Sequence, residues 1–539
     1  MKKRKAPDGT AEPCSGVGGG DRLSCLPDEL IGRILSFLPT PQAALTAQLS
    51  RRWRRAWAHV AALNLSVQDC VRSGKGPRFC ALATAALARF PTPVIPAISV
   101  EVDHHIYLVD EWYGRAMARA VGSVRVTSLR GLNFLRLPPC THAEALDMTA
   151  PRTTLTLPDP EPEADLVFGR LAELSLALLQ LGGARPLDEF LASCCPRLRT
   201  LRLRRVRGHP VRRLALRTGT LEVLDLDTVD DLATLDVVAA KLRCLSVRSC
   251  FRLLPRDGDG DGDGRKVTVS APRIEAICWY RSYPEQLTFR DGGLEHVRRL
   301  AGPLKLPTLG RRDQFDAPHT TQLLRSCALA VDRLDMELVV PDEMALLNWL
   351  GAPPAAEARA TCEDLIRHVP ALPCVRVLSL KIRWGFGGGV GPCLASFLSR
   401  TPSLTRLRIH ASTYCLTVYE ADEEAPPPPP RGKQLQWKRS DVVGADEQRV
   451  RLDGLREISV DGLKGTDSEE HRLVQLLLAS APPSLERMSL TFRHAAASIV
   501  DEIAAEIPVH FPMATGRWDR CTTSVLTWTR VGCMEWRVR

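Results

Sequence analysis

Side chains able to do covalent chemistry are plentiful in this 539-residue sequence, but none stands at a working spacing. There is no Gly-x-Ser-x-Gly elbow, Walker A loop, His-Glu-x-x-His pair or dinucleotide fingerprint after a strand. The seventeen cysteines are scattered, and no two sit three apart as in a zinc or redox pair. An odd, scattered set suits free thiols in a reducing compartment better than a disulfide framework. His104-His105 has only Asp103 beside it and reads as surface or packing. Asp257 to Gly264, DGDGDGDG, sets Asp257, Asp259, Asp261 and Gly262 where a calcium loop wants them. The closing carboxylate is replaced by Thr268, or by Ser270 in the frame from Asp259, so a surface loop is expected. Gly385 to Gly391, GFGGGVG, has no Lys-Ser/Thr after it and reads as a loop between repeats, not a phosphate cradle. No catalytic residue, metal or cofactor is therefore expected.

The residues that stand out instead are suited to docking. Leu26, Pro27, Leu30, Ile34, Leu35, Phe37, Leu38, Leu49, Ser50, Trp53 and Trp57 crowd into one short stretch, with Arg51, Arg52, Arg54 and Arg55 among them. Apolar anchors with aromatics and arginine are the composition of a protein–protein contact. Whether the two tryptophans are anchors or internal core stays open.

Three short helices must position these side chains. Leu26-Pro27-Asp28-Glu29 is a start signal, with Pro at the opening and acids in the first turn. Leu30, Ile31, Ile34, Leu35 and Leu38 form a broad apolar stripe, Phe37 adds a second apolar surface, and Pro39 stops the helix. Thr40-Pro41 caps and opens a second helix to about Leu49. Ser50 caps a third, with Trp53, Trp57 and Val60 on one side and the four arginines on the remaining surface. So small a unit cannot bury all that apolar surface by itself.

From about residue 120 the chain repeats apolar-x-x-apolar-x-apolar. Copies are Leu132/Leu135/Leu137, Leu171/Leu174/Leu176, Leu198/Leu201/Leu203, Leu221/Leu224/Leu226 and Leu242/Leu245/Val247. Later ones are Val331/Leu334/Met336, Val375/Leu378/Leu380, Leu404/Leu407/Ile409, Leu455/Ile458/Val460 and Leu485/Met488/Leu490. The period is that of a leucine-rich repeat, whose strands stack into one parallel sheet over a leucine core. Helices are expected in some intervals, at Leu187–Cys195 and Cys393–Arg400. The turn position carries no consistent Asn, and long gaps from 242 to 331 and from 404 to 455 leave registers open. The fold class expected is α/β, three N-terminal helices followed by an irregular solenoid with a parallel sheet.

Composition agrees with a folded protein: 45% hydrophobic and 25% charged, with aromatics only 5%. No run reaches the length of a membrane span, and MKKRKAPDGT has no apolar region of the signal-peptide kind. The net charge of +10 rests on arginine spread along the chain. That fits biased nucleotide usage better than a nucleic-acid surface, so a nucleic-acid partner and a membrane are not expected. Residues 1–20 read as a disordered arm in which Lys2-Lys3-Arg4-Lys5 is either a nuclear import signal or a solvated tail. Ala421 to Glu424 followed by Pro426–Pro430 reads as an exposed insertion.

Residues 21–57, DRLSCLPDELIGRILSFLPTPQAALTAQLSRRWRRAW, resemble a plant-type F-box. The matching elements are Asp21-Arg22-Leu23-Ser24, Leu26-Pro27, Leu30, Ile34 to Pro39, and Leu49 to Arg54 with Trp57. Gln42-Ala43-Ala44 stands where the family has Asp-Ala-Ala, and Leu45 and Gln48 also depart from its pattern. The rest resembles plant F-box/leucine-rich-repeat proteins. Leu455–Phe492 is similar to the FBD region that closes many of them, with an acidic turn at Asp467–Glu470 and a helix at Leu473–Ala479. The resemblance implies an arm at 1–20, an F-box at 21–60, a repeat domain at 61–450 with loops at 257–264 and 421–431, and an FBD-like region at 451–539. It implies a non-catalytic substrate receptor of a cullin–RING ubiquitin ligase, in the nucleus and/or cytoplasm. Its F-box would dock on a Skp-type adaptor through the eleven residues named above, and its repeats would hold an unidentified protein substrate. The other reading is an adaptor-independent repeat scaffold.

Overall fold

The structure, a computed structural model, describes residues 26–530 other than 73, 75–77, 105, 110, 138–139, 141, 158–167, 184, 252–264, 291–293, 306–315, 341–368, 385–389, 414–449, 466–467, 494–499, 502, 506, 508–515 and 523. The expected basic arm, Asp21 to Ser24, His105, most of the Gly385–Gly391 stretch, the DGDGDGDG segment and the Pro-rich insertion lie outside the described residues. The chain divides into two compact units, Met1–Leu129 and Arg130–Arg539.

The first unit opens with α1 (Asp28–Leu35), α2 (Thr40–Thr46) and α3 (Arg51–Ala56). It continues into three parallel strands, β1 (Ala62–Ser66), β2 (Ile95–Val102) and β3 (Ala120–Ser128). Leu63, Ile98 and Val124 stand in one register row, and Leu65, Val100 and Val126 in the next; all six are buried. The repeat thus begins at Val60/Leu63/Leu65, not near residue 120, and its early copies use Val and Ile in place of Leu. β-branched residues fit a buried parallel strand at least as well as Leu. The expected boundary at residues 60/61 falls inside this unit. Asn64 bonds it closed there: its N–H donates to Thr40 Oγ1 at 2.8 Å, and its Nδ2 donates to the carbonyls of Ser36 and Leu38.

The second unit has a longer ladder of the same kind. One row runs Leu146, Leu174, Leu201, Leu224, Leu245, Ile277, Leu300, Leu334, Leu378, Leu407, Ile458, Met488, through parallel pairings all the way. Each of these side chains is buried, worth roughly 1.5–3 kcal/mol apiece relative to exposure. The 242-to-331 gap holds two further strands, Ala276–Tyr280 and Arg299–Lys305. Across the 404-to-455 gap Leu407 pairs directly with Ile458, so that stretch interrupts the chain without shifting the ladder. The Leu132/Leu135/Leu137 copy is not a rung. Its strand, Asn133–Arg136, pairs Leu135 with Leu155, beyond the rung that Leu146 and Met148 supply.

Two features lie between the strands. Helices stand at Leu187–Cys194 and Val390–Leu398, near the expected positions, and at Asp316–Cys327 and Ser468–Ala479. Between residues 213 and 290, however, the connections hold a second parallel sheet of four strands: Arg213–Arg217, Thr234–Val238, Lys266–Ser270 and Gln286–Arg290. The repeats there are short, and alternating Leu235/Val237 and Val267/Val269 bury one face of a five-residue strand where a helix would need more chain. The missing turn Asn is explained by backbone geometry. Arg205, Thr228, Ser249 and Arg281 follow successive rungs at positive φ, and the first three donate their N–H to the carbonyls of Asp227, Arg248 and Tyr280 at 2.7 Å. Backbone bonding does the work that a turn side chain would do. An antiparallel hairpin, Gly516–Thr522 and Val525–Arg530, closes the ladder on Arg487–Phe492.

Candidate functional site

Each helix of the N-terminal trio is set by local chemistry. The Pro27 carbonyl accepts the N–H groups of Leu30 and Ile31, and Asp28 and Glu29 occupy the first turn of α1. α1 ends at Leu35, short of the expected stop at Pro39, and Ser36 Oγ bonds back to the Gly32 carbonyl at 2.8 Å. α2 begins at Thr40 and ends at Thr46. Thr40 does not cap it, because its hydroxyl is taken by Asn64. Ser50 does cap α3, accepting from the Trp53 N–H at 3.3 Å. Gly32 lets α1 approach the turn after α3: a Cβ there would lie 2.4 Å from His59 Cβ.

Arg52 clamps the ends of this unit together. It donates to Asp28 Oδ1 at 2.8 Å and to the Leu26 carbonyl. Expected as surface, it is half-buried, because its fork spans both partners. Its hydrogen bond holds the Asp28 carboxyl below its ordinary value of 3.8, against a smaller opposing effect of desolvation.

The stripe read from sequence splits into two adjacent rows, each with its members four residues apart on α1. Ile31 and Leu35 are both 1% exposed and form the inside. Leu30 (44%) and Ile34 (41%) form an outward row, and Phe37 (79%), Leu45 (59%) and Leu49 (69%) are exposed as well. Phe37 lies past the end of α1, in the turn that follows it. Leu35 is removed from the candidate contact residues, since its side chain is spent on the core. Pro27 and Ser50 are exposed, while Leu26, Leu38, Trp53 and Trp57 are half-buried. Leu45, set aside in the sequence as a departure from the pattern, is a large apolar side chain left in water. Its spacing carried no signal, because one apolar residue in a short helix fits either side. Five large apolar side chains in twenty residues are thus left exposed.

The family description F-box domain matches residues 23–61. Residues 23–61 are an F-box. The chain is similar to an F-box/FBD/LRR-repeat protein of Arabidopsis thaliana, 26% identical over 210 residues, covering 38% of this chain and 49% of that protein. It is also similar to an F-box/LRR-repeat protein of the same plant, 28% identical over 238 residues, covering 42% of this chain and 58% of the relative. A further F-box/LRR-repeat protein from Arabidopsis is 48% identical over 58 residues, 11% of this chain and 12% of the relative. The chain spans about half the length of the first two relatives. The plant F-box/leucine-rich-repeat resemblance, with an FBD-like region, stands on these matches.

The FBD-like region departs from expectation in one respect. The acidic turn is no turn: Glu469 and Glu470 lie in the first turn of helix Ser468–Ala479 and are buried. Glu470 Oε2 accepts from the N–H groups of Lys464 and Gly465, both at 2.8 Å. Glu469 Oε2 accepts from the Val390 N–H, and Arg472 pairs with its other oxygen. Val390, which lies within the Gly385–Gly391 stretch, opens helix Val390–Leu398.

Proposed function

We propose that this chain is the substrate-receptor subunit of a Skp–cullin–F-box ubiquitin ligase. The F-box docks on a Skp-type adaptor, and the repeat ladder holds a protein client. The subunit makes no bonds itself and works in the nucleus and/or cytoplasm. The observation that carries this reading is the outward row Leu30–Ile34, with Phe37 after it, left uncovered while Ile31 and Leu35 on α1 are packed. The half-buried tryptophans serve both purposes, packing one edge and presenting the other.

Binding of the full chain to a purified Skp-type adaptor tests it. Ile34→Asp or Phe37→Asp should weaken binding by about 2 kcal/mol or more, as for an anchor at the centre of an interface. Leu26→Ala/Pro27→Ala should also abolish capture, but Pro27 opens α1, so the outward-row variants are the cleaner probe. Adaptor affinity unmoved by the outward-row changes, or absent in the unaltered chain, would leave the adaptor-independent scaffold as the function.

A further inference from the structure

The register of the ladder assigns every outward side chain of the second unit to a row, and the rows differ in charge along the sheet. From Glu173 to Arg248 the outward charges neutralise one another. Arg202 pairs with Glu173, Arg204 and Arg248 both pair with Asp225, and Arg248 also reaches Asp227. From Arg333 to Phe492 they do not. Arg299 takes Asp335, Lys381 and Arg383 share Glu337, and Arg406 takes Glu457. Among the described residues, no carboxylate pairs with Arg333, Arg408 or Arg487, and all three are exposed.

These three arginines stand on every second strand: Arg333–Val340, Arg406–Thr413 and Arg487–Phe492. Strands two apart are separated by about 9–10 Å, the length of three residues of extended chain; Arg333 and Arg487 share one row, with Arg406 and Glu457 between them, and Arg408 stands in the next, so the three alternate to either side of a line across the strands, as every third residue of an extended chain does. Arg408 is flanked in its own row by Ser379 and Ser459, with Ser489 beyond. One row over stand Glu337, Lys381, His410 and Asp461. Glu337 is buried with its side chain 5% exposed, and its Oε2 has no hydrogen-bond partner among the described residues.

We infer that this face of the last five parallel strands binds an extended acidic segment of a client polypeptide, running across the strands with a carboxylate about every third residue. The inference rests on the receptor reading above and names its client's chemistry. Single arginines set apart favour separate single charges. A phosphate dianion would want several free guanidiniums converging on one point. Among the described residues, these rows offer the bases of a nucleic acid no exposed aromatic to stack on.

The test uses the full chain and a labelled peptide of about fifteen residues repeating Glu-Ser-Gly, matched to the roughly three-residue spacing. Its Gln-Ser-Gly counterpart, a singly phosphorylated version and a single-stranded RNA serve as competitors. The acidic peptide should bind and the Gln peptide should not. Arg408→Gln should weaken binding roughly threefold, and Arg333→Gln/Arg408→Gln/Arg487→Gln more than tenfold, with the dependence on salt reduced. Adaptor capture through the F-box should be unchanged in these variants, so a failure here is distinguishable from a failure of the receptor reading. Tighter binding of the phosphopeptide or the RNA, equal binding of the Gln peptide, or indifference to the triple change would overturn the assignment.

Discussion

Arg52 on α3 donates from Nε to Asp28 Oδ1 at 2.8 Å, tying the third helix of the F-box to the first turn of the first. Two helices that share little sequence proximity are thereby held at one angle, and the outward row of α1 is presented as a rigid unit.

The Arg52–Asp28 bond has a pH signature. Asp28's carboxyl titrates below 3.8 in the folded state, so its stabilisation is complete above that value and is lost as pH falls through the lowered one. Asp28→Asn should remove this acid-dependent step and speed amide exchange in α1 and α3 at neutral pH. Hydrogen exchange from pH 2 to 7 checks it, and an unchanged acid profile would count against the bond.

Gly32 is a spacing residue. Gly32→Ala forces a Cβ against His59 and should cost about 1–3 kcal/mol of the first unit's stability. The same change in an unconstrained helix would stabilise, so the sign seen in thermal unfolding decides.

Ile34 and Leu35 are chain neighbours with opposite fates. Leu35→Ala should lower stability by about 2–5 kcal/mol, while Ile34→Asp should leave unfolding nearly unchanged and act on adaptor binding. Parallel measurement of melting and affinity separates them.

Glu469 joins helix Ser468–Ala479 to helix Val390–Leu398. Glu469→Ala strands a buried N–H and should cost about 1–3 kcal/mol. Glu469→Gln keeps an oxygen acceptor and should recover most of it, as chemical denaturation would show.

Burial pushes the thiols of Cys195, Cys250 and Cys327 up to about 12. They should resist iodoacetamide at pH 8, whereas exposed Cys374 and Cys521 react first. Peptide mapping after timed alkylation reads the order.

The F-box was legible because its signals are short-range: an opening proline, a capping serine and a stripe at helical spacing. Which half of the stripe faces water was not legible. Leu30 and Leu35 are alike as residues, and only the packing of His59, Asn64 and Arg52 around α1 separates them. The ladder was legible where successive copies carried leucine at most of their apolar positions. It was missed at Leu63, Ile98, Val124, Ile277 and Leu300, where the neighbouring rungs mix Val, Ile, Trp and Gly. The second sheet was missed because a five-residue alternation is weak beside the stronger pattern. The buried Glu469 and Glu470 read as a solvated turn because their partners are backbone N–H groups, which leave no mark in sequence.

The terminal hairpin has a consequence for solubility. A stack of parallel strands ends in a naked row of donors and acceptors that invites another molecule to extend it. Here Val525–Arg530 lies against the last rung with its polarity reversed, and the strand outside it carries Arg517, Asp519 and Arg520. An incoming copy meets a fence of charge. Cutting the chain before Gly516 should turn a finished edge into an adhesive one.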